Sequence, residues 1–476
     1  MIATKFCLWF AFCLVSLKAV QARDNDAPCP AFCECGTVFG LNEVDCSGLT
    51  SVPTDIPEDT DILDLSACNL SNIPVEPLAK ISSLKIFTFM EVIKDEGNYN
   101  LTSLDLPNLF QIDVVNSPLS FVPQLLPSYI SQMSLVNITL GTLENGSFHR
   151  YPNLDRLTIW SCQLSQIKSG VFDDIPHLSY LELKENNLVD ESFAPDLFRK
   201  SQALETISLS SNKLTHVISN LPSSLTAVDY SSNAIVTLQS QAFKSTPKLT
   251  SLSFQQNKMR TIQDFAFDGL AKVSSVYFNQ NEIERLSKYS FVGFTGLTTL
   301  YMSQNNISIV EKEAFHPLIS LLEFNLDENQ ISTLEDLTFQ SMGKLVTINL
   351  SSNKLSNITN NTFTGLNTLS ELDISSNLIE NIEPGAFEPL KSIRNLRIIG
   401  NRLQRLVSEV FRYLPAGTSV YLAANPWQCD CHLRWLREAV DNASYTIEYP
   451  EAIGCATPMK LSGKYFKELK PSDFVC

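Results

Sequence analysis

Glycine is scarce in this chain, 17 of 476 residues, and histidine scarcer still at 5. So little glycine leaves no material for phosphate-cradling loops, and neither such a loop nor a Gly-x-Ser-x-Gly nucleophile elbow occurs. The histidines His149, His177, His216, His316 and His432 form no His-Glu-x-x-His zinc pattern, and the first, second and fourth fall at equivalent turn sites near proline. His432 beside Cys431 is the one hint of a metal, and the cysteine pattern around it has another explanation, given below. No catalytic group, metal site or cofactor is therefore implied, and the chain reads as no enzyme. Beyond the amino terminus no apolar run reaches the roughly 18 residues that a membrane-spanning helix needs, and no hydrophobic tail precedes Cys476. Basic residues are also in deficit, 35 against 51 acidic, for a formal net charge of -16, which argues against a nucleic-acid partner.

What the chain has in quantity is a repeat. From Leu225 one phrase recurs: leucine, two variable residues, an aliphatic, one variable, an apolar, two variable, asparagine. Its copies open at Leu225, Leu249, Val273, Leu297, Leu321, Leu345, Leu369 and Ile393, a step of 24 residues each time. In the copy at Leu345, Ile348 and Leu350 alternate with Thr347, Asn349 and Ser351, so a short strand points the first pair inward and the others outward. Asn353 then offers an amide that can pair backbone groups of neighbouring coils, an asparagine ladder. Leu355, Ile358, Phe363 and Leu366 fill the coil's interior, and only stacking of coils closes that core. This is the leucine-rich repeat pattern. It predicts an α/β, strand-dominated solenoid with a curved, parallel concave sheet.

The amino terminus carries Lys5, an apolar run from Phe6 to Leu17, and Val20-Gln21-Ala22, which suits a secretory leader over 1–22. Of the ten cysteines that follow the leader, four sit early (Cys29, Cys33, Cys35, Cys46) and four late (Cys429, Cys431, Cys455, Cys476). Clusters of this kind suit disulfides in an oxidising compartment better than zinc. Nine Asn-x-Ser/Thr sequons, at Asn69, Asn100, Asn137, Asn145, Asn306, Asn349, Asn357, Asn360 and Asn442, point to the same compartment. Cys68 and Cys162 stand where later coils have the ladder asparagine. Four coils, about 19 Å at the usual strand spacing, separate them, too far for a disulfide. Both are expected to be buried free thiols. The beat loosens over 84–130, where Lys94 to Asn100 reads as an insertion and Ser117 and Ile138 replace the ladder asparagine. The steps between Leu178, Leu204 and Leu225 are 26 and 21 residues, a place where curvature could change.

The early cysteines, with Ser51-Val52-Pro53, resemble the amino-terminal cap of extracellular leucine-rich repeat proteins such as Slit, Toll and the lamprey variable lymphocyte receptors. The string Asn425-Pro426-Trp427-x-Cys429-x-Cys431-x-x-x-Trp435-Leu436 closely resembles that family's carboxy-terminal cap. The resemblance implies disulfide caps at both ends: Cys29 with Cys35, Cys33 with Cys46, Cys429 with Cys455 and Cys431 with Cys476, and a short helix over Leu433 to Val440. The expected organisation is a leader at 1–22, a cap at 23–59, about 15 or 16 coils over 60–424 with the regular period at 225–416, and a cap at 425–476.

Function should then lie on the exposed strand positions. In their middle column Tyr277 and Tyr301 are neighbours, and nearer the amino terminus Met90, Phe110, Val115, Val136, Trp160 and Tyr180 put apolar groups where most coils carry small polar ones. Phe110, Trp160, Tyr180, Tyr277 and Tyr301 are the expected partner contacts, on a face kept clear of a glycan at Asn349. The resemblance implies adhesion, guidance, immune recognition or matrix organisation, without choosing among them. The expectation is a secreted, soluble, non-enzymatic protein that binds an extracellular protein or glycan; a non-catalytic subunit of a secreted enzyme complex is the alternative, and no feature sets the oligomeric state.

Overall fold

The computed structural model describes residues 28–66, 75–90, 101–117 and 119–476. The leader, Cys68, Asn69, Asn100 and the side chain of Met90 lie outside the described residues. The chain divides into two compact units, one ending at Leu204 and one beginning at Glu205. That division falls beside the short 21-residue step from Leu204 to Leu225.

In the first unit a hairpin, Glu34–Val38 antiparallel to Leu41–Asp45, opens the fold. Cys29 is joined to Cys35 and Cys33 to Cys46, with Cα–Cα separations of 5.9 and 4.3 Å. From Leu41–Asp45 the sheet continues in parallel through Ile62–Leu65, Ile86–Met90, Gln111–Val115, Gln132–Val136, Arg156–Trp160 and Tyr180–Glu182. The second unit is parallel throughout, from Thr206–Ser208 and Ala227–Asp229 to Ser419–Tyr421. One further strand, Thr446–Glu448, comes from the carboxy-terminal cap and pairs with Ser419–Tyr421, so the sheet runs one strand past the point where the repeated phrase ends.

The inward residues are fully buried: Leu345, Ile348, Leu350, Ile358, Phe363 and Leu366 all have 0% exposure, which is what a continuous stack demands of them. The ladder is equally regular. Asn353 donates through Nδ2 to the carbonyls of Leu326, Leu350 and Ser351 at 2.9, 3.1 and 3.1 Å, and its Oδ1 accepts from the Ile331 N–H at 3.0 Å. Bonds to Leu326 and Ile331 cross to the preceding coil, so the amide closes the turn and ties two coils together. Opposite the sheet, Phe315, Phe339, Phe363, Phe387 and Phe411 stack in sequence with centroids 5.8 to 6.5 Å apart. One turn of the row leaves no room for a side chain: at Gly365, φ 101°, a Cβ would lie 2.7 Å from the carbonyl oxygens of Phe339 and Gln340.

The phenylalanine row ends against the carboxy-terminal cap, where Phe411 meets Trp435 and Tyr445 edge-on at 6.1 and 5.7 Å. Trp427 is wholly buried and donates through Nε1 to the Leu422 carbonyl, and Trp435 does the same to Leu406. These aromatics cover the last coil as the helix Arg434–Asn442 follows. Cys429 is joined to Cys455 and Cys431 to Cys476. Among the described residues no helix is long and apolar enough to cross a membrane.

Candidate functional site

Each strand has one side committed to the core, so chemistry can only be offered by the alternate positions and the coil edges. In the first unit the pairing sets Val115 beside Val136 and Val136 beside Trp160, and all three are half-buried, forming one apolar row along the strand ends. Phe110 is exposed at 36% but precedes its strand, at the position Leu322 and Val346 occupy in later coils, so it does not join that row. Trp160 and Tyr180 differ from expectation in another way. Arg156 lies directly opposite Tyr180 with its guanidinium 4.0 Å from the ring centre, and the Lys184 ammonium is 5.2 Å from the Trp160 ring. Both aromatics already carry a cation from a neighbouring coil.

Between these groups lies Asp113, only 8% exposed although it sits on the strand face. Burial pushes its carboxyl above the usual carboxylate range, opposed by hydrogen bonds from Ser134, Gln111 and Thr88. Gln111 Nε2 reaches both carboxylate oxygens at 3.0 Å. Cys162 is a free, fully buried thiol in the ladder position, donating to the carbonyls of Leu135 and Trp160 at 3.2 and 3.3 Å. Burial raises it to about 11, so it is an inert donor.

In the second unit Tyr277 and Tyr301 face each other across paired strands, their rings stacked at 5.5 Å and 14°. Tyr301 donates its hydroxyl to Glu323, and burial together with that carboxylate holds its phenol well above the ordinary range. On the same coil as Glu323, Asp327 has one carboxylate oxygen, Oδ1, buried without a hydrogen-bond partner among the described residues. Its carboxyl is raised by burial and by the charges of Glu328 and Asp373, against a hydrogen bond from Asn325. Asn349 lies one strand further, between Asn325 and Asp373, half-buried with Oδ1 accepting from the Ser351 N–H. The other described sequons, Asn137, Asn145, Asn306, Asn357, Asn360 and Asn442, are exposed and off this face.

A second feature was not foreseen. On the flank of the coils an open trough of about 600 Å³ is lined by Arg260, Phe265, Glu284, Arg285 and Ser287. Phe265, φ 61° and 42% exposed, stacks on Tyr289 at 5.2 Å. The two are 24 residues apart, so reading the flank in columns as well as the strand would have found them. As for metal, Cys431, His432 and Cys476 do converge, but the two sulfurs form one disulfide and have no thiolate to offer.

The leucine rich repeat model matches residues 152–214, 223–283, 272–331, 319–379 and 367–426, more than half of the chain. The chain belongs to the leucine rich repeat family. Among curated leucine rich repeat relatives, podocan of Mus musculus is 26% identical over 281 residues, covering 46% of this chain and 45% of podocan. Human Leucine-rich repeats and immunoglobulin-like domains protein 1 is 27% identical over 251 residues, 51% of this chain and 20% of that protein. The chain spans less than half the length of podocan and of the podocan-like proteins it matches. In solved structures, a chain of the Drosophila Toll–Spatzle complex superposes with a TM-score of 0.71 at 20% identity, covering 91% of this chain and 64% of that one. A Leptospira interrogans leucine rich repeat protein gives 0.63 at 20% identity, over 83% and 97%. At that identity the likeness is one of fold.

Proposed function

We propose that this leucine rich repeat chain is an extracellular, non-enzymatic binding protein that holds a protein partner on its strand face. The observation that carries the reading is that each unit keeps large side chains half-exposed on a sheet whose opposite side is fully packed: the Val115–Val136–Trp160 row in one, the Tyr277–Tyr301 pair in the other. Aromatic groups held rigidly in this way lose little freedom on binding and are the usual anchors of protein interfaces. Four disulfides and six exposed sequons support the extracellular setting. The Toll–Spatzle complex, a protein–protein assembly that includes a chain of this fold, supports a protein as the partner.

The test immobilises the secreted chain, captures partners from its native extracellular fluid, and compares wild type with W160A and with Y277A/Y301A. A partner retained by wild type is expected to be lost from at least one variant. Retention of every wild-type partner by both variants would contradict the reading.

A further inference from the structure

The Tyr277–Tyr301 pair differs from Trp160, Tyr180 and Tyr421 of the strand faces in one respect: among the described residues no cation is supplied to it. Tyr180 lies under Arg156 at 4.0 Å, Trp160 under Lys184 at 5.2 Å, and Tyr421 under Arg397 at 5.2 Å. In each case the cation comes from the adjoining coil, and an arginine or lysine over a ring within about 6 Å is favourable because the ring face is electron-rich. No cation lies over Tyr277 or Tyr301 among the described residues. The face around them offers none either. From Thr206 to Asp373, the outward strand positions and the one that follows carry Asp229, Glu323, Asp327, Glu371 and Asp373 and neither lysine nor arginine. The first cation reached, Arg397, is within 3.8 Å of Glu371.

One carboxylate, Glu323, stands beside the rings, and a second, Asp327, lies two residues past Asn325 on the same coil. Glu323 is half-exposed and accepts the Tyr301 hydroxyl with acceptor capacity to spare, and the half-exposed Asp327 adds a second acidic group further along the strand. A donor arriving with a positive charge forms a charge-assisted hydrogen bond to such a carboxylate.

We propose that this face docks a basic segment of a protein partner, with an arginine or lysine side chain laid over the Tyr277–Tyr301 pair, its donors directed at Glu323, and the charge of Asp327 drawing the rest of the segment along the strand. The proposal rests on the strand face being the partner surface and names the chemistry of the partner. Arginine suits the place best: its planar guanidinium stacks on rings and donates in a fork. Phosphate-bearing partners are repelled by the same row of acids.

The experiment uses the full secreted chain and a fluorescent peptide of alternating arginine and serine, with a glutamine-for-arginine peptide as its match, read by anisotropy at physiological salt. The arginine peptide is expected to bind at least tenfold more tightly than the glutamine peptide. Y277A/Y301A, which removes no charge, and E323Q/D327N should each weaken it about tenfold. E380Q/E409Q, which removes two acids away from the face, should change it less than twofold, and Y277F/Y301F should retain most of the affinity, since the rings remain. Equal loss in E380Q/E409Q and E323Q/D327N would overturn the proposal in favour of unspecific attraction. Calcium binding that needs Glu323 and Asp327, without discrimination between the peptides, would overturn it in favour of a metal. If the captured partner is lost from Y277A/Y301A while the peptides are not told apart, the basic-segment inference falls and the strand-face reading stands. If the peptides behave as expected but the partner is retained by both alanine variants, the strand-face reading falls instead.

Discussion

Replacing Asn353 by alanine should loosen one junction of the stack and leave distant ones intact. Asn353 is 6% exposed and makes four hydrogen bonds, two of them to the preceding coil through Leu326 O and Ile331 N. Alanine strands those two buried groups, at about 1–3 kcal/mol each, for a net loss on the order of 2–4 kcal/mol once some water enters. Because each coil contacts mainly its neighbours, the loss should be local. In hydrogen–deuterium exchange the amide of Ile331 and its neighbours should lose roughly 30- to 1000-fold of protection, while coils around Asn257 keep theirs. Asn325 in the adjoining coil is a control of the same residue type. It lies half-exposed on the strand face and its side chain bonds only within its own coil, to Asp327, where water can replace it, so Asn325→Ala should cost within about 1 kcal/mol. Equal losses at Asn353 and Asn325, or protection lost evenly along the unit, would refute the ladder argument.

Asp113→Asn should stabilise the first unit at neutral pH. Burial raises the folded carboxyl above its ordinary 3.8, so the folded state holds that proton more tightly; its penalty is absent below 3.8, grows as pH rises toward the raised value, and is constant above it. The difference between variant and wild type in urea unfolding should therefore be larger at pH 7 than at pH 3.5, and a pH-independent difference would count against it. Cys162 should resist alkylation at pH 7.5 in the native protein, where its thiol sits near 11, and react in urea without reductant; a blocked thiol there would show it to be paired. Gly365→Ala should cost about 1–3 kcal/mol, through its positive φ and the two carbonyls that crowd the new methyl, whereas Gly417→Ala, with open space around it, should cost less in the same melts.

The repeated phrase made the strands, the inward core and the ladder legible, because a 24-residue step repeats one physical solution in every coil. The final strand Thr446–Glu448 was not legible: it carries no phrase of its own and is held in place by Ile447 in the core and Tyr445 against Phe411. Asp113 was hidden because the acids of the same column in later coils, Asp229 and Asp373, are half-exposed, whereas Asp113 is buried beside Ser134. The cations over Trp160 and Tyr180 were within reach, since Arg156 precedes Tyr180 by one repeat step and Trp160 precedes Lys184 likewise. Reading aromatic residues without their column neighbours made them look more open than they are. Tyr277 and Tyr301, read in the same manner, are half-exposed rings stacked on each other, with no cation over them among the described residues.

The most direct measurement of the central claim is a glycan placed on the strand face. Y277N/N279T writes a new sequon between Ser253 and Tyr301 on the strand face without altering the inward Phe278. Surface plasmon resonance of the captured partner on this variant, with the same variant enzymatically deglycosylated and with wild type, separates bulk from side-chain loss. The account predicts that the glycosylated variant binds at least tenfold more weakly than the deglycosylated one. Equal binding by glycosylated and deglycosylated forms would contradict the claim that the partner is held on this face.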